Sequence, residues 1–218
     1  MKLLAAVVIA IAAVSMAFVI DSPTNWVFDP KILKAVSQRG IEAARIQHGV
    51  NATPEQVIEK VIIEITKTYP RYTTYNGRWL WNNAGGAMGS MTVLHCSLTE
   101  YIIIFGTAVG TEGHTGRYHW AEDFFTIIYG EQWASLPKAA HREVYKPGDQ
   151  HYLPKGTAKQ YRMPNACWAL EYARGNIPSM LFFGLADSVT STVDFVTLFQ
   201  TIYESAWSMT RNLIQGKI

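Results

Sequence analysis

Cysteine and charge are both scarce in this chain, and their scarcity excludes several classes of protein. Only two cysteines occur in 218 residues, Cys96 and Cys167, which excludes a disulfide-rich scaffold and leaves no zinc-site spacing. Charged residues make up 17% and the net charge is +2, without a Lys/Arg cluster, so we predict no nucleic-acid partner. Hydrophobic residues make up 49%, enough for one folded domain with a sizeable core.

The sequence motifs of several common active sites are also missing. None of the six histidines stands in a His-x-His pair, so we predict no metal site. No Gly-x-Ser-x-Gly segment is present, which excludes the usual nucleophile elbow. The glycine-rich residues 110–116 lack the Lys-Ser/Thr ending of a phosphate loop. Carboxylates are therefore the remaining candidates for chemistry.

The N-terminus carries the one long apolar run of the sequence. Residues 3–20 are almost wholly apolar, which is the short end of the length that spans a bilayer as a helix. Ser15-Met16-Ala17 resembles a cleavage site, so a secretory signal peptide is the alternative. Because the run continues past that site, we predict an uncleaved transmembrane anchor over residues 1–21, with the body lumenal. Asn51 would then lie in a glycosylation sequon, although a proline follows it.

The pattern of hydrophobic residues divides the rest of the chain into three parts. Residues 22–71 are helical in period, with helix starts at Asp29-Pro30 and Thr53-Pro54. Residues 72–176 contain many short strands between Gly/Pro turns, which is typical of a cupin-like β-barrel (jelly roll). Residues 177–218 return to a helical period and predict two amphipathic helices, the second capped by Ser191 or Thr192. The aromatic side of these helices either covers a core or lies on a membrane.

One carboxylate, Glu171, stands within the apolar and aromatic run 167–178. Strand alternation places Glu171 among the small side chains of its own face, which leaves space beside it. A carboxylate on an inner sheet face is costly unless a charged or protonated group answers it. The alternative is a solvent-facing Glu171, or one paired with the nearby Arg174.

A second acid is expected on the strand over residues 117–129. Alternation groups His119, Asp123 and Phe125 on one face and Glu122 on the other, so only one of the two adjacent acids faces inward. Two carboxyl groups in one dry cavity cannot both ionise cheaply, so one should hold a proton near neutral pH. Such a pair supplies a general acid and a base, and it stabilises a carbocation or binds a cationic amine.

Several motifs of the chain resemble the sterol Δ8-Δ7 isomerase and sigma receptor family. They begin at Glu100 (Glu-Tyr-Ile-Ile-Ile-Phe-Gly), His114 (His-Thr-Gly-Arg), Leu170 (Leu-Glu-Tyr-Ala-Arg-Gly-Asn-Ile-Pro-Ser) and Ala186-Asp187. The resemblance runs from about residue 25 to the C-terminus. It implies a cupin-like barrel whose mouth is closed by the two C-terminal helices, lying against the endoplasmic reticulum membrane. It also implies a homotrimer, with residues 85–89 at the subunit contact.

Segments beginning at Gly130, Lys159 and Arg211 resemble the fungal-type isomerases more than the animal receptor. The resemblance therefore implies an enzyme that moves a sterol double bond from Δ8 to Δ7, without a metal or a redox cofactor. A proton is added at carbon 9, a cation forms at carbon 8, and a proton leaves carbon 7. The alternative is a sigma-receptor-like binder of cationic amphiphiles that acts as a ligand-regulated membrane chaperone.

The resemblance also assigns individual residues. Glu171 matches the family's essential carboxylate, and Tyr101 matches the tyrosine that hydrogen-bonds it. Asp123 is the expected proton donor, with Glu122 as the second candidate. The receptor's second acid falls on Phe125, which is a departure from the receptor pattern. Met91, Val93, Ile103 and Phe105 match strand positions that line the family's pocket. We also expect four further residues to bind the substrate: Phe125, Trp168, Met180, which is close to Glu171 in sequence, and Tyr203, by its helix position.

Overall fold

The structure is a computed structural model that describes residues 21–218. The predicted anchor therefore lies outside the described residues, apart from its last residue. Among residues 21–218, no helix combines the length and the hydropathy that crossing a membrane requires.

Two helices precede the strands, and both begin where the sequence predicts. The helical segments are a short 3₁₀ turn at Pro23–Asn25, α1 at Pro30–His48 and α2 at Pro54–Thr68. The Asp29 carboxylate accepts hydrogen bonds from two backbone N–H groups of the first turn of α1. Thr53 and Gln56 form a reciprocal capping box at the start of α2. Helix α1 runs through Gly40, where an added Cβ would meet the α2 backbone at Val61 Cα, 2.7 Å away.

Ten strands follow within the described residues, and they form two antiparallel sheets. The strands are β1 Leu80–Ala84, β2 Ala87–Cys96, β3 Glu100–Thr107, β4 Thr111–His114, β5 Ala121–Tyr129, β6 Gln132–Ser135, β7 Glu143–Tyr145, β8 Gln150–Leu153, β9 Gln160–Met163 and β10 Cys167–Gly175. The larger sheet has the order β1-β2-β3-β10-β5-β8, and the smaller has the order β4-β9-β6-β7. The chain passes repeatedly between the sheets, as in a jelly roll. The predicted cupin-like jelly roll is confirmed at this level, but the two sheets do not join into a closed barrel.

The larger sheet separates two hydrophobic cores. Its outer face packs against α1 and α2 through Leu170 and Tyr172, and its inner face packs against the smaller sheet through Ala169 and Ala173. Alternation along β10 therefore assigns each side chain to one of two cores, as the sequence pattern predicts. The predicted strand over residues 117–129 is too long, because β5 begins only at Ala121. His119 consequently lies exposed in the preceding loop, not on the inner face.

Two helices end the chain, α3 at Ile177–Thr190 and α4 at Phe195–Ile214. The N-cap of α4 is Asp194, whose side chain accepts from the Thr197 N–H at 3.0 Å, so the expected cap at Ser191 or Thr192 is wrong. Helix α4 buries polar residues and exposes apolar ones, the opposite of a helix that covers a core. Its buried residues are Thr197, Thr201, Glu204, Ser205 and Asn212. Its large exposed apolar residues are Phe195, Val196, Phe199, Ile202, Tyr203, Trp207, Leu213 and Ile214.

Candidate active site

A cavity of about 90 Å³ lies between the two sheets, covered by α3. Strands of both sheets contribute to its walls, and Thr201 reaches it from α4. The surface is mostly apolar and aromatic, with two acidic side chains, Asp123 and Glu171. A concave, mostly apolar cavity with a few polar groups is the usual form of a small-molecule site.

Glu171 lies in β10, which runs through the middle of the larger sheet between β3 and β5. In register it stands opposite Ile103 on one side and Phe125 on the other. Its side chain lines the cavity, so the alternative of a solvent-facing Glu171 is wrong. Removal from water disfavours the charged carboxylate, which raises the pKa of Glu171 from its ordinary 4.5 to about 7.

Asp123 comes from the neighbouring strand β5 and lies diagonally across from Glu171. Its register partner in β10 is Ala173, two residues beyond Glu171 on the same inward face. Asp123 is 8% exposed, and its Oδ1 atom has no hydrogen-bond partner among the described residues. Burial, and then the negative charge of Glu171, raise the pKa of Asp123 well above its usual range. The two carboxyl groups therefore line the same cavity, where the pKa of each is raised.

The adjacent acid Glu122 points to the other face of β5. The Arg174 guanidinium donates to one carboxylate oxygen of Glu122 at 2.6 Å, and the Tyr152 hydroxyl donates to the other at 2.6 Å. Glu122 does not line the cavity, so the structure does not bring it together with Glu171. Arg174 therefore pairs with Glu122, so the expected alternative, a pair between Arg174 and Glu171, is wrong.

Tyr101 lines the cavity from β3. The expected hydrogen bond between Tyr101 and Glu171 is not formed. Both residues are described, and no hydrogen bond joins them. The Tyr101 hydroxyl instead points to Met91 Sδ at 4.0 Å, a weak contact. Burial, and the negative charges of Cys96 and Glu171 in their ionised forms, raise the pKa of Tyr101 well above its usual range. Its hydroxyl therefore stays protonated beside the acids.

The eight expected substrate-binding residues divide into two groups. Those that line the cavity are Met91, Ile103, Phe105, Phe125 and Met180. Val93 packs against the same core without reaching the cavity. The assignment of Trp168 to the cavity is wrong, because β10 alternation turns its ring to the outer face, 5.4 Å from the Trp79 ring. The assignment of Tyr203 is also wrong, because its ring is 57% exposed on the outward side of α4.

Several residues that line the cavity are not predicted from the sequence, and two of them are tyrosines. Tyr118 precedes β5, and Tyr161 comes from β9 of the smaller sheet. Burial, and then the negative charge of Glu171, raise the pKa of both hydroxyls, so each stays protonated as a donor. The smaller sheet and strand β8 add Gln132 and His151, and α3 adds Leu181, Phe183, Gly184 and Leu185. His151 could have been predicted, because it lies on the same face of β8 as the apolar Leu153. The residues of the smaller sheet could not, because a local sequence pattern does not show which sheets face each other.

The fold and the cavity define a jelly-roll protein whose mostly apolar cavity carries two acidic side chains, Asp123 and Glu171. The chain belongs to the family described as ERG2 and Sigma1 receptor like protein, whose model matches residues 3–217. It is 51% identical over 195 residues to the C-8 sterol isomerase of Pyricularia oryzae, covering 88% of this chain and 85% of that protein. It is 43% identical over 160 residues to the sigma non-opioid intracellular receptor 1 of Gallus gallus, covering 72% and 71% respectively.

Solved structures add little to this family assignment. An RmlC-like cupin from Shewanella frigidimarina overlaps 47% of this chain and 89% of its own, with 12% identity and a TM-score of 0.39. That overlap is too low to support an inference about this chain.

Proposed function

We propose that the protein is a sterol isomerase that moves the ring double bond from Δ8 to Δ7. The pairing of Asp123 with Glu171 inside an apolar cavity is the observation that carries this proposal. The reaction adds a proton at carbon 9, passes through a cation at carbon 8 and removes a proton from carbon 7. It therefore needs an acid, a base and a negative charge near the cation, and two coupled carboxyl groups supply all three.

Asp123 is the proposed proton donor of the pair. Its pKa is raised well above the usual range, because burial and then the Glu171 charge oppose its ionisation, so it holds a proton more readily than an ordinary aspartate does. Glu171, with a pKa of about 7, is ionised in part at neutral pH. Its carboxylate stabilises the cation and is the proposed acceptor of the proton from carbon 7. The aromatic faces of Phe105 and Phe125, whose centroids are 6.2 Å apart, add to the stabilisation of the cation.

Substrate entry requires the cover of the cavity to move. The volume of about 90 Å³ is well below that of small-molecule sites, which is typically ~300–1,000 Å³. Both sheets are fixed by their hydrogen-bond ladders, so α3 and α4 are the elements that must shift. The outward side of α4 is apolar, and Phe199 and Trp207 on it are 67% and 61% exposed. We propose that this side lies in the endoplasmic reticulum membrane, from which the sterol enters.

A homotrimer remains part of the proposal, with the β1–β2 hairpin as its contact. Gly85 and Gly86 form the two-residue turn of that hairpin, with φ angles of +63° and +83° that favour glycine. Trp81 and Met88 share one face of the hairpin and are 56% and 48% exposed. A second copy of the chain would cover this apolar surface.

The receptor-like alternative uses the same carboxylate. A cationic amphiphile placed in the cavity would pair with Glu171 in place of the sterol cation. We propose that such amines bind in the cavity and inhibit the isomerase. Phe125 stands where the receptor pattern has its second acid, which favours the isomerase.

Complementation of an isomerase-deficient fungal strain tests the proposal. The strain would carry the native chain, Glu171→Gln, or Glu112→Gln as a matched control, because Glu112 is an exposed β4 acid 3.7 Å from Arg162. Sterol mass spectrometry should show Δ7-sterols with the native chain and with Glu112→Gln, and accumulated Δ8-sterols with Glu171→Gln. Failure of the native chain to form Δ7-sterols, with amine binding that depends on Glu171, would instead favour the receptor.

A further inference from the structure

Besides Asp123 Oδ1, two buried polar atoms in the cavity wall have no hydrogen-bond partner among the described residues. They are Gln132 Oε1 and His151 Nε2. Their side chains are almost fully buried, with 2% and 3% of the residue surface exposed, and both line the cavity. Buried polar groups in folded proteins are nearly always hydrogen-bonded, because an unpaired one keeps its full desolvation cost. The two atoms are therefore free to hydrogen-bond with a polar group of a ligand in the cavity.

The strand register fixes the location of this polar pair relative to the acids. Glu171 stands opposite Phe125, and Phe125 stands opposite His151, so the three share one row and one inward face. His151 lies two strands from Glu171, at a backbone separation of about 10 Å. Gln132 approaches from the smaller sheet, where it pairs with Tyr145, and the Tyr145 ring stacks on His151 at 4.7 Å. Gln132 and His151 thus share a neighbour at one end of the cavity.

The charged groups around His151 are already paired, which favours a neutral ligand group there. Burial, and then the Lys159 ammonium, lower the pKa of His151 to about 4, so the imidazole is neutral at pH 7. Glu143 Oε2 is 4.0 Å from His151 Nε2, too far for a hydrogen bond. That carboxylate is already held by Lys159 at 2.6 Å and by the Tyr145 hydroxyl at 2.7 Å. Neither an anion nor a cation is therefore required at this end.

A hydroxyl is the neutral group that satisfies both atoms. It donates to Gln132 Oε1 and accepts from His151 Nε2 when that nitrogen carries the imidazole proton. A ketone only accepts, so it would leave the Gln132 oxygen unpaired. A hydrogen atom in place of the hydroxyl would satisfy neither.

We propose that Gln132 and His151 form the subsite that binds the ring-A hydroxyl of the sterol and so fix which ring faces the acids. This inference rests on the proposed isomerase function. In a Δ8-sterol the hydroxyl lies on ring A and the reacting double bond on ring B, one fused ring away. Binding of the hydroxyl two strands from Glu171 places the next ring beside Glu171 and Asp123. The pair thereby selects sterol alcohols over their ketones and over molecules without an oxygen.

Two variants that keep side-chain volume test the subsite, Gln132→Met and His151→Phe. With the purified chain in detergent, dissociation constants and kcat/KM would be measured for a Δ8-sterol, its 3-ketone and its 3-deoxy analogue. The native protein should prefer the alcohol over the deoxy analogue by about ten-fold or more. Each variant should reduce that ratio toward one through weaker binding of the alcohol, while binding of the deoxy analogue is unchanged.

The matched control is Gln150→Met. Gln150 neighbours His151 in β8, but its amide faces the other side and donates to Thr126 Oγ1 and to the Pro30 carbonyl. Its replacement should lower the melting temperature and leave the alcohol preference intact. The two test variants each remove an unpaired polar atom, so they should melt no lower than the native chain.

An unchanged preference in either folded variant would overturn the subsite. That result is distinct from failure of the proposed function, which Glu171→Gln tests separately by turnover. If Glu171→Gln abolishes turnover and the alcohol preference survives in both variants, the isomerase stands and the subsite is wrong.

Discussion

Lys217, the next-to-last residue, forms a buried ion pair with Glu100 at the start of β3, with Nζ 2.9 Å from Oε2. Their side chains are 5% and 0% exposed. Glu100 also accepts hydrogen bonds from the backbone N–H groups of Val27 and Phe28 and from the Tyr172 hydroxyl. The segment after α4 is therefore tied to the larger sheet and to the segment that leads into α1.

Removal of this ammonium should destabilise the fold. Lys217→Met would leave Glu100 buried without its counter-charge, which typically costs about 3–5 kcal/mol. We expect a loss of about 3 kcal/mol in the free energy of unfolding, at the lower end because three other donors remain. The control is Arg39→Met, which breaks the exposed Arg39–Glu64 pair and should cost about 1 kcal/mol or less. Equal losses in urea unfolding would contradict the account.

The two cavity acids should make stability depend on pH in a predictable direction. A raised pKa means that the folded state holds more protons than the unfolded state as pH rises from about 4.5 to about 7 through Glu171. The folded native protein therefore loses stability over that range. His95 and His151, with pKa values lowered to about 3 and about 4, act in the opposite direction and obscure the total.

A difference measurement separates these contributions. The double variant Asp123→Asn with Glu171→Gln lacks the two acids and keeps the histidines. Its stability relative to the native chain should grow as pH rises from about 4.5 to about 7. A difference that stays constant over that range in chemical unfolding would show that the acids are not held protonated by burial.

The two adjacent acids of β5 should differ sharply in their effect on turnover. Asp123→Asn removes the proposed proton donor and should lower kcat/KM by roughly 10²-fold or more. Glu122→Gln weakens a partly buried ion pair with Arg174 outside the cavity and should change kcat/KM by less than about ten-fold. Steady-state kinetics on the two purified variants measures both effects. A larger loss of kcat/KM in Glu122→Gln than in Asp123→Asn would identify Glu122 as the proton donor.

The outward side of α4 should bind lipid. Protein comprising residues 21–218 should cosediment with phospholipid vesicles, and Phe199→Asp with Trp207→Asp should reduce the bound fraction several-fold. The control is Val109→Asp, because Val109 is 89% exposed in the loop before β4 and lies outside α4. An equal reduction by the control would attribute binding to general hydrophobicity.

The sequence pattern predicted the central acids because strand alternation depends only on neighbouring residues. Glu171 and Asp123 both lie on the inward face, and the choice of Asp123 over Glu122 followed from the same alternation. The prediction that Trp168 lines the cavity is wrong for the same reason, because Trp168 and Glu171 lie on opposite faces of β10.

Other features depend on contacts that a local pattern does not contain. Gln132 and Tyr161 reach the cavity only because the smaller sheet faces the larger one. The start of α4 was misplaced because Ser191, Thr192 and Asp194 are all good N-cap residues, and the chain geometry selects the last. Tyr203 points outward because α4 buries its polar residues and exposes its apolar ones. A helix on the surface of a soluble protein usually does the opposite.

Incorporation of solvent hydrogen into the product tests the central claim most directly. Purified protein would convert a Δ8-sterol in heavy water, and mass spectrometry would locate the deuterium. If Asp123 delivers a solvent-exchangeable proton and Glu171 holds the cation, the Δ7-product carries deuterium at carbon 9, and Glu171→Gln forms no labelled product. A Δ7-product without deuterium, or labelled product from Glu171→Gln at the native rate, would contradict the account.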